Sequence, residues 1–220
     1  LSGRTQEDIR LIAVSKTKST EMILQALAAG QSAFGENRVQ EALGKIEDLT
    51  KLPLVEWHLI GHLQKNKVKF CPGNFQWIHT IDSTELVKKL EARSAFAQKK
   101  INVLLQVNLS REITKSGLHD WEDILQVSET ILSGKWLKLR GLMTIPPPNI
   151  GETPTRKIYE KLRLWRDKLK QDLDSPEISE LSMGMTADFH WAIQEGATMI
   201  RVGSAIFGER NEDMDSSTNM

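Results

Sequence analysis

Leu11-Ile12-Ala13-Val14-Ser15-Lys16-Thr17-Lys18 is the stretch on which the fold turns. Its first four residues are a continuous apolar run, which reads as a buried strand. Lysine and threonine come after it, not the Gly-x-Gly-x-x-Gly turn of an open dinucleotide-binding sheet. Outward from this run, short β-rich runs alternate with helical patterns. Strands are expected at 11–15, 33–35, 57–60, 77–81, 103–107, 139–145, 180–183 and 199–202. Val39, Leu43, Ile46 and Leu49 recur at helical spacing, as do Ile158, Leu162, Trp165, Leu169 and Leu173. Asp82 with Glu85 resembles a capping box opening the helix of Leu86 and Leu90. Gly30 and Gly196 stand where helices should end, just before the next strand. Eight strand–helix units in about 200 residues predict a single closed parallel (β/α)8 barrel of the TIM type. An open doubly wound sheet is the alternative, weakened by the missing glycine turn and by the lack of a composition break between halves.

The 220 residues include 29 basic and 29 acidic side chains. A formal net charge of zero gives no electrostatic case for nucleic acid or an anionic membrane. The single cysteine, Cys71, cannot form an internal disulfide, which fits a reducing, cytoplasmic setting, and is expected as a packed thiol. No apolar stretch approaches a membrane span, and no signal peptide is present. The first residue is Leu1, so a natural N-terminal segment is expected to be missing. The barrel is expected over 1–208, with a polar tail at 209–220. Pro146-Pro147-Pro148 is expected to open a stiff loop running through Pro154. A monomer is expected.

Active sites in such a barrel gather at the C-terminal ends of the strands. That rim is expected to present Lys16, Lys18, Glu36, Asn37, Gly61 and His62 from the first three strands. Asp82, Asn108, Met143, Ser182, Gly184, Gly203 and Ser204 complete it. A buried lysine loses hydration, its pKa falls, and its neutral amine becomes a nucleophile for a carbonyl. Lys16 and Lys18 share strand parity, and pattern alone does not choose between them, although Lys16 lies nearer the buried run. Leu181-Ser182-Met183-Gly184 and Arg201-Val202-Gly203-Ser204 are small-residue turns at the ends of strands seven and eight, where this fold tends to bind phosphate. Hydroxyls and free backbone N–H groups there suit an anion. A Schiff-base lysine beside an anion cradle suggests pyridoxal 5′-phosphate.

Arg201 lies inside the last apolar run and needs an acceptor, either a cofactor ring nitrogen or a carboxylate such as Asp188. Asn37 reads equally as a pocket residue and as the N-cap of the following helix. His58 and His62 read as ordinary polar contacts before catalytic bases. The five histidines lack metal-ligand spacing, so no metal is expected. Gln64-Lys65-Asn66-Lys67 reads as a solvated helix face, although Lys18, Lys65 and Lys67 are also candidates for a secondary or transfer site.

The motifs Ala13-Val14-Ser15-Lys16-Thr17-Lys18, Phe34-Gly35-Glu36-Asn37, Trp57-His58-Leu59-Ile60-Gly61-His62 with its continuation to Lys67, Gly141-Leu142-Met143-Thr144, Leu181-Ser182-Met183-Gly184-Met185 and Arg201-Val202-Gly203-Ser204 resemble the pyridoxal phosphate homeostasis protein family in order along nearly the whole chain. The resemblance implies a barrel like the alanine racemase N-terminal domain. It implies an imine of the cofactor to Lys16, Ser182, Gly203 and Ser204 near the phosphate, Arg201 at the pyridine nitrogen and Asn37 in the pocket. Met183 and Gly184 are counted with the phosphate turn. The implied role is non-catalytic: intracellular homeostasis of the cofactor and its supply to apoenzymes. The family commonly has serine at Lys65, threonine at Ser204 and proline at Ser19, and a further N-terminal helix. Two enzymes compete with this reading. A low-activity amino-acid racemase would need a second base, and the only tyrosine, Tyr159, lies in the helix before strand seven. A Schiff-base aldolase would use the same lysine without a bound chromophore.

Overall fold

The computed structural model describes residues 3, 5–50, 52, 55–110, 112 and 116–208, so the expected tail at 209–220 lies outside the described residues. Strands β1 (Arg10–Val14), β2 (Ala33–Glu36), β3 (Glu56–Leu59), β4 (Trp77–Ile81), β5 (Ile101–Gln106), β6 (Leu137–Met143), β7 (Glu180–Met185) and β8 (Met199–Val202) close into one barrel in sequence order. Every neighbouring pair is parallel. Strand β8 returns to β1 with Ile12 opposite Arg201. The closed barrel expected from the strand–helix alternation is therefore the fold, and the open sheet is not.

Helices α1 (Thr20–Ala28), α2 (Val39–Asp48), α3 (Thr84–Ala97), α4 (Trp121–Leu132), α5 (Glu152–Asp172), α6 (Phe189–Gln194) and α7 (Ser204–Phe207) follow the strands, with one exception. Between β3 and β4 there is only a short 3-10 helix at Val68–Phe70. Pro72 comes soon after and Gly73 adopts φ +87°, so a helix cannot continue there. The stretch 64–67, expected on a helix face, is accordingly a loop and turn. Gly30 (φ +94°) and Gly196 (φ +100°) follow α1 and α6 as expected. The cap of α3 falls one residue later than expected: Ser83, not Asp82, accepts from the Leu86 N–H. Asn37 is not the cap of α2 either, since that position falls to Arg38. The proline loop is shorter than expected, because α5 begins at Glu152 and Pro154 sits in its first turn, where a missing N–H costs nothing.

Two apolar layers hold the barrel. The larger fills the space between sheet and helices and includes Phe34, Leu59, Leu90, Val103, Leu162 and Met183. The smaller lies inside the barrel, where Ile12, Trp77, Leu104, Met143 and Met199 meet. Barrel interiors are usually filled by branched aliphatics. Here His58, His79, Ser182 and Arg201 share that space, all with 4% exposure or less. Gly141 lets β6 approach β7: a Cβ on it would stand 1.9 Å from the Glu180 carbonyl oxygen. Gly141→Ala is expected to lower stability by about 3 kcal/mol. The readout is a reduced denaturant midpoint at unchanged slope, and an unmoved midpoint would mean the ladder yields instead.

Candidate functional site

A cavity of about 500 Å3 opens at the C-terminal ends of the strands, a size suited to a small ligand. Lys16 lines it from the turn that leaves β1. That turn is made tightly: the Lys18 N–H donates to the Ser15 carbonyl at 3.0 Å, and Thr17 takes φ +62°. It is held from beneath by a buried ionic cluster. Lys45, 8% exposed, donates to the Ser15 carbonyl at 2.7 Å, to Glu36 at 2.8 Å and to Glu41 at 2.7 Å. The Ser15 hydroxyl donates to Glu36 at 2.6 Å, and the Thr17 N–H donates to Glu41 at 2.5 Å. Burial raises the Glu36 pKa despite the bonds from Lys45 and Ser15. Glu36, expected on the rim, is thus a buttress under the lysine turn.

Lys18 separates from Lys16 here. Its ammonium donates to the Phe207 and Gly208 carbonyls at 3.1 and 3.3 Å, tying the lysine turn to the end of α7, and it does not line the cavity. Lys65 pairs with Glu85 and also lies off the cavity. Asn37, Gly61, His62 and Asn108 line it. Gly61 is required there, because a Cβ would stand 2.2 Å from the Asn37 carbonyl oxygen. His62 is exposed at the edge, 3.8 Å from Asp82.

On the opposite wall, Arg201, Gly203 and Ser204 line the cavity. Ser182, Met183 and Gly184, expected beside the phosphate, do not. Ser182 points into the barrel below the cavity and is fully buried against Arg201 and His79. Met183 points outward into the core under the helices. Gly184 is a packing residue: a Cβ on it would meet the Ala192 Cβ at 2.6 Å. The reason is that β7 runs two residues further than expected, to Met185, with a register shift against β8 and φ +92° at Gly184. The hydroxyl-bearing residue of this turn that lines the cavity is therefore Thr186. It accepts from the Gly203 N–H at 3.4 Å, which brings the two turns together. A hydroxyl just past the true strand end was the available signal for Thr186, but the alternation rule cannot see a register shift.

Arg201 donates through one terminal nitrogen to the Ser182 hydroxyl at 2.6 Å and through the other to the Thr144 carbonyl at 2.9 Å. Neither partner is a carboxylate, so of the two acceptors the sequence left open, Asp188 is not the one that holds it. Burial pulls its pKa down to about 10, with Tyr159 and Asp188 acting the other way. It still carries a proton at neutral pH, and five N–H donors exceed the two bonds it makes. Tyr159 is fully buried on α5 and does not line the cavity. Cys71 is a packed thiol as expected, with burial pushing its pKa up to about 12. Among the described residues no cluster of His, Cys, Asp and Glu is arranged to hold a metal ion. Nor is any helix there long and apolar enough to cross a membrane.

The family model described as the alanine racemase N-terminal domain matches residues 1–211. A pyridoxal phosphate homeostasis protein of Vibrio alginolyticus is 44% identical over 212 residues, covering 95% of this chain and 90% of that protein. The structure of PipY from Synechococcus elongatus PCC7942 with pyridoxal phosphate (PLP) bound superposes with a TM-score of 0.87 at 38% identity, covering 93% of this chain and 95% of that one. The same protein without PLP gives a TM-score of 0.88 at 39% identity, covering 91% and 93%. With the family model matched over residues 1–211 and a relative 44% identical across nearly its whole length, the chain belongs to the pyridoxal phosphate homeostasis protein family, built on the alanine racemase N-terminal domain fold.

Proposed function

We propose that this protein binds pyridoxal 5′-phosphate without turning over a substrate, and that it serves cofactor homeostasis by holding the cofactor and supplying it to apoenzymes. The observation that carries the reading is convergence: Lys16, Arg201, Thr186, Gly203 and Ser204 all line one cavity. This donor set fits the group. Lys16 would hold the aldehyde carbon, Arg201 would donate to the ring nitrogen, and Thr186, Gly203 and Ser204 would face the phosphate, with Asn37 beside the lysine. Bound pyridoxal phosphate supplies an electrophilic carbonyl and an electron-accepting ring. An arginine at the ring nitrogen leaves that nitrogen unprotonated, since a guanidinium scarcely gives up its proton, and this weakens the ring as an electron sink.

Ser182, Met183 and Gly184 are reassigned within this reading to support and packing. Thr186→Val is expected to weaken pyridoxal phosphate binding about tenfold, measured by titration. An effect that small molecules lacking the phosphate share equally would argue against Thr186 as a phosphate contact.

The racemase alternative needs a second base over the free face of the cofactor. Tyr159 is sealed inside the helical layer, which leaves His62 as the exposed candidate at the edge. The reading includes a cytoplasmic monomer. The single buried thiol is compatible with a reducing compartment. The barrel domain is proposed to span 1–208.

Borohydride trapping with pyridoxal phosphate, followed by peptide mapping, tests the site, with one stable adduct expected at Lys16. Deuterium exchange at the α-carbon of added amino acids tests turnover. Adducts scattered over surface lysines would overturn the site, and exchange above background would return the racemase.

A further inference from the structure

A continuous polar chain crosses the interior of the barrel beneath the cavity. Arg201 donates to the Ser182 hydroxyl at 2.6 Å. Ser182 Oγ and His79 Nδ1 are 2.9 Å apart, and His79 Nε2 and His58 Nδ1 are 2.9 Å apart. His58 Nε2 reaches Glu56 Oε1 at 2.8 Å. Glu56 stands at the N-terminal end of β3, beside Arg10 at 3.2 Å, at the mouth opposite the cavity. His58 stacks on Trp77 with centroids 5.7 Å apart and an interplanar angle of 4°, and Arg10 lies over the Trp77 ring, 5.3 Å from its centroid.

The two ends fix the direction of every link. A carboxylate only accepts, so the proton on the bond to Glu56 belongs to His58 Nε2. Burial lowers the His58 pKa against the pull of Glu56, and lowers that of His79 further, which favours the neutral form with one proton on each ring. His58 Nδ1 must then accept, which makes His79 Nε2 the donor. His79 Nδ1 must accept in turn, which makes the Ser182 hydroxyl the donor. That leaves the Ser182 oxygen to accept, and arginine, which only donates, supplies it. Reversing any link would set two acceptors or two donors face to face in a dry interior, where an unmade bond is expensive.

We propose that Ser182, His79 and His58 form a one-directional hydrogen-bonded relay that positions Arg201 at the cavity floor and couples it to the Glu56 carboxylate at the far mouth of the barrel. These are positioning residues acting through Arg201. The anion at one end polarises each link, and the guanidinium at the other is held with its remaining N–H groups turned toward the ligand. This rests on the reading that Arg201 faces the cofactor ring nitrogen. A charge change at Glu56 should then be felt in a cavity that Glu56 does not line.

The relay itself is testable without ligand. Nitrogen-15 NMR of the histidine rings in the apoprotein is expected to show His58 and His79 both neutral with the proton on Nε2. A proton on Nδ1 of either ring, or two protons on either, overturns the relay. The coupling is tested with Glu56→Gln, which keeps an acceptor for His58 but removes the charge, and Ser182→Ala, which cuts the link to Arg201. Each is expected to weaken pyridoxal phosphate binding about fivefold and to shift the visible absorption of the bound cofactor, while borohydride still traps it at Lys16. Unchanged affinity and spectrum in both folded variants, with wild-type trapping intact, would refute the coupling alone. Failure of wild-type trapping would refute the site, and the NMR result would still decide the relay.

Discussion

Lowering the pH from 8 to 5 is expected to lower folding stability, by up to about 2 kcal/mol through His79 and by a smaller amount through His58. Both rings are kept neutral in the folded protein, chiefly because burial disfavours their charged forms. In the unfolded chain they return to the ordinary histidine value near 6.5 and take up a proton below it. The unfolded state therefore binds more protons, so the contribution is fully present above that pH and is lost as pH falls below it. That magnitude applies to a ring that stays neutral down to pH 5. Against a typical net stability of about 5–15 kcal/mol the loss is large. Glu36 and Asp82 act in the opposite sense. Burial raises both, so the folded protein takes up their protons first and the loss is partly offset as pH approaches their range. Urea unfolding at pH 8, 6.5 and 5 measures the effect, and His79→Gln should remove the larger part of the slope. A flat wild-type profile in which His79→Gln also changes nothing would mean that the folded protein takes up these protons as readily as the unfolded chain.

Lys16→Ala is expected to abolish the borohydride-stable adduct entirely and to weaken pyridoxal phosphate binding at least about tenfold, or about 1.4 kcal/mol. Lys18 does not substitute, because its ammonium is committed to the Phe207 and Gly208 carbonyls and lies off the cavity. Residual binding through Arg201, Thr186 and Ser204 should persist without a covalent bond. Circular dichroism and thermal unfolding serve as controls, since Ser15, Glu36 and Lys45 still hold the turn. A full-strength adduct on Lys18 in this variant would transfer the reactive role to it.

The barrel is legible in the chain alone. Its strands are buried apolar runs, its helices are amphipathic, and glycines close them, and each of these signals is local. The same pattern brings Lys16, Asn37, Arg201, Gly203 and Ser204 to one rim, because a parallel barrel gathers all strand C-termini on one face. Packing between distant segments set the remainder. Lys16 and Lys18 share parity and differ only in what folds over them, which is the end of α7. Thr186 displaced Ser182 because β7 runs on to Met185 with a register shift between Ser182 and Met185, which leaves Ser182 below the rim and puts Thr186 at the strand end. His58 reads as an ordinary polar contact and His79 carries no signal of its own, since the contacts that link them to each other and to Ser182 span 21 and 103 residues. A hydrogen-bonded chain through a barrel interior depends on which inward residues share a layer, and that is set by strand stagger, which no local pattern encodes.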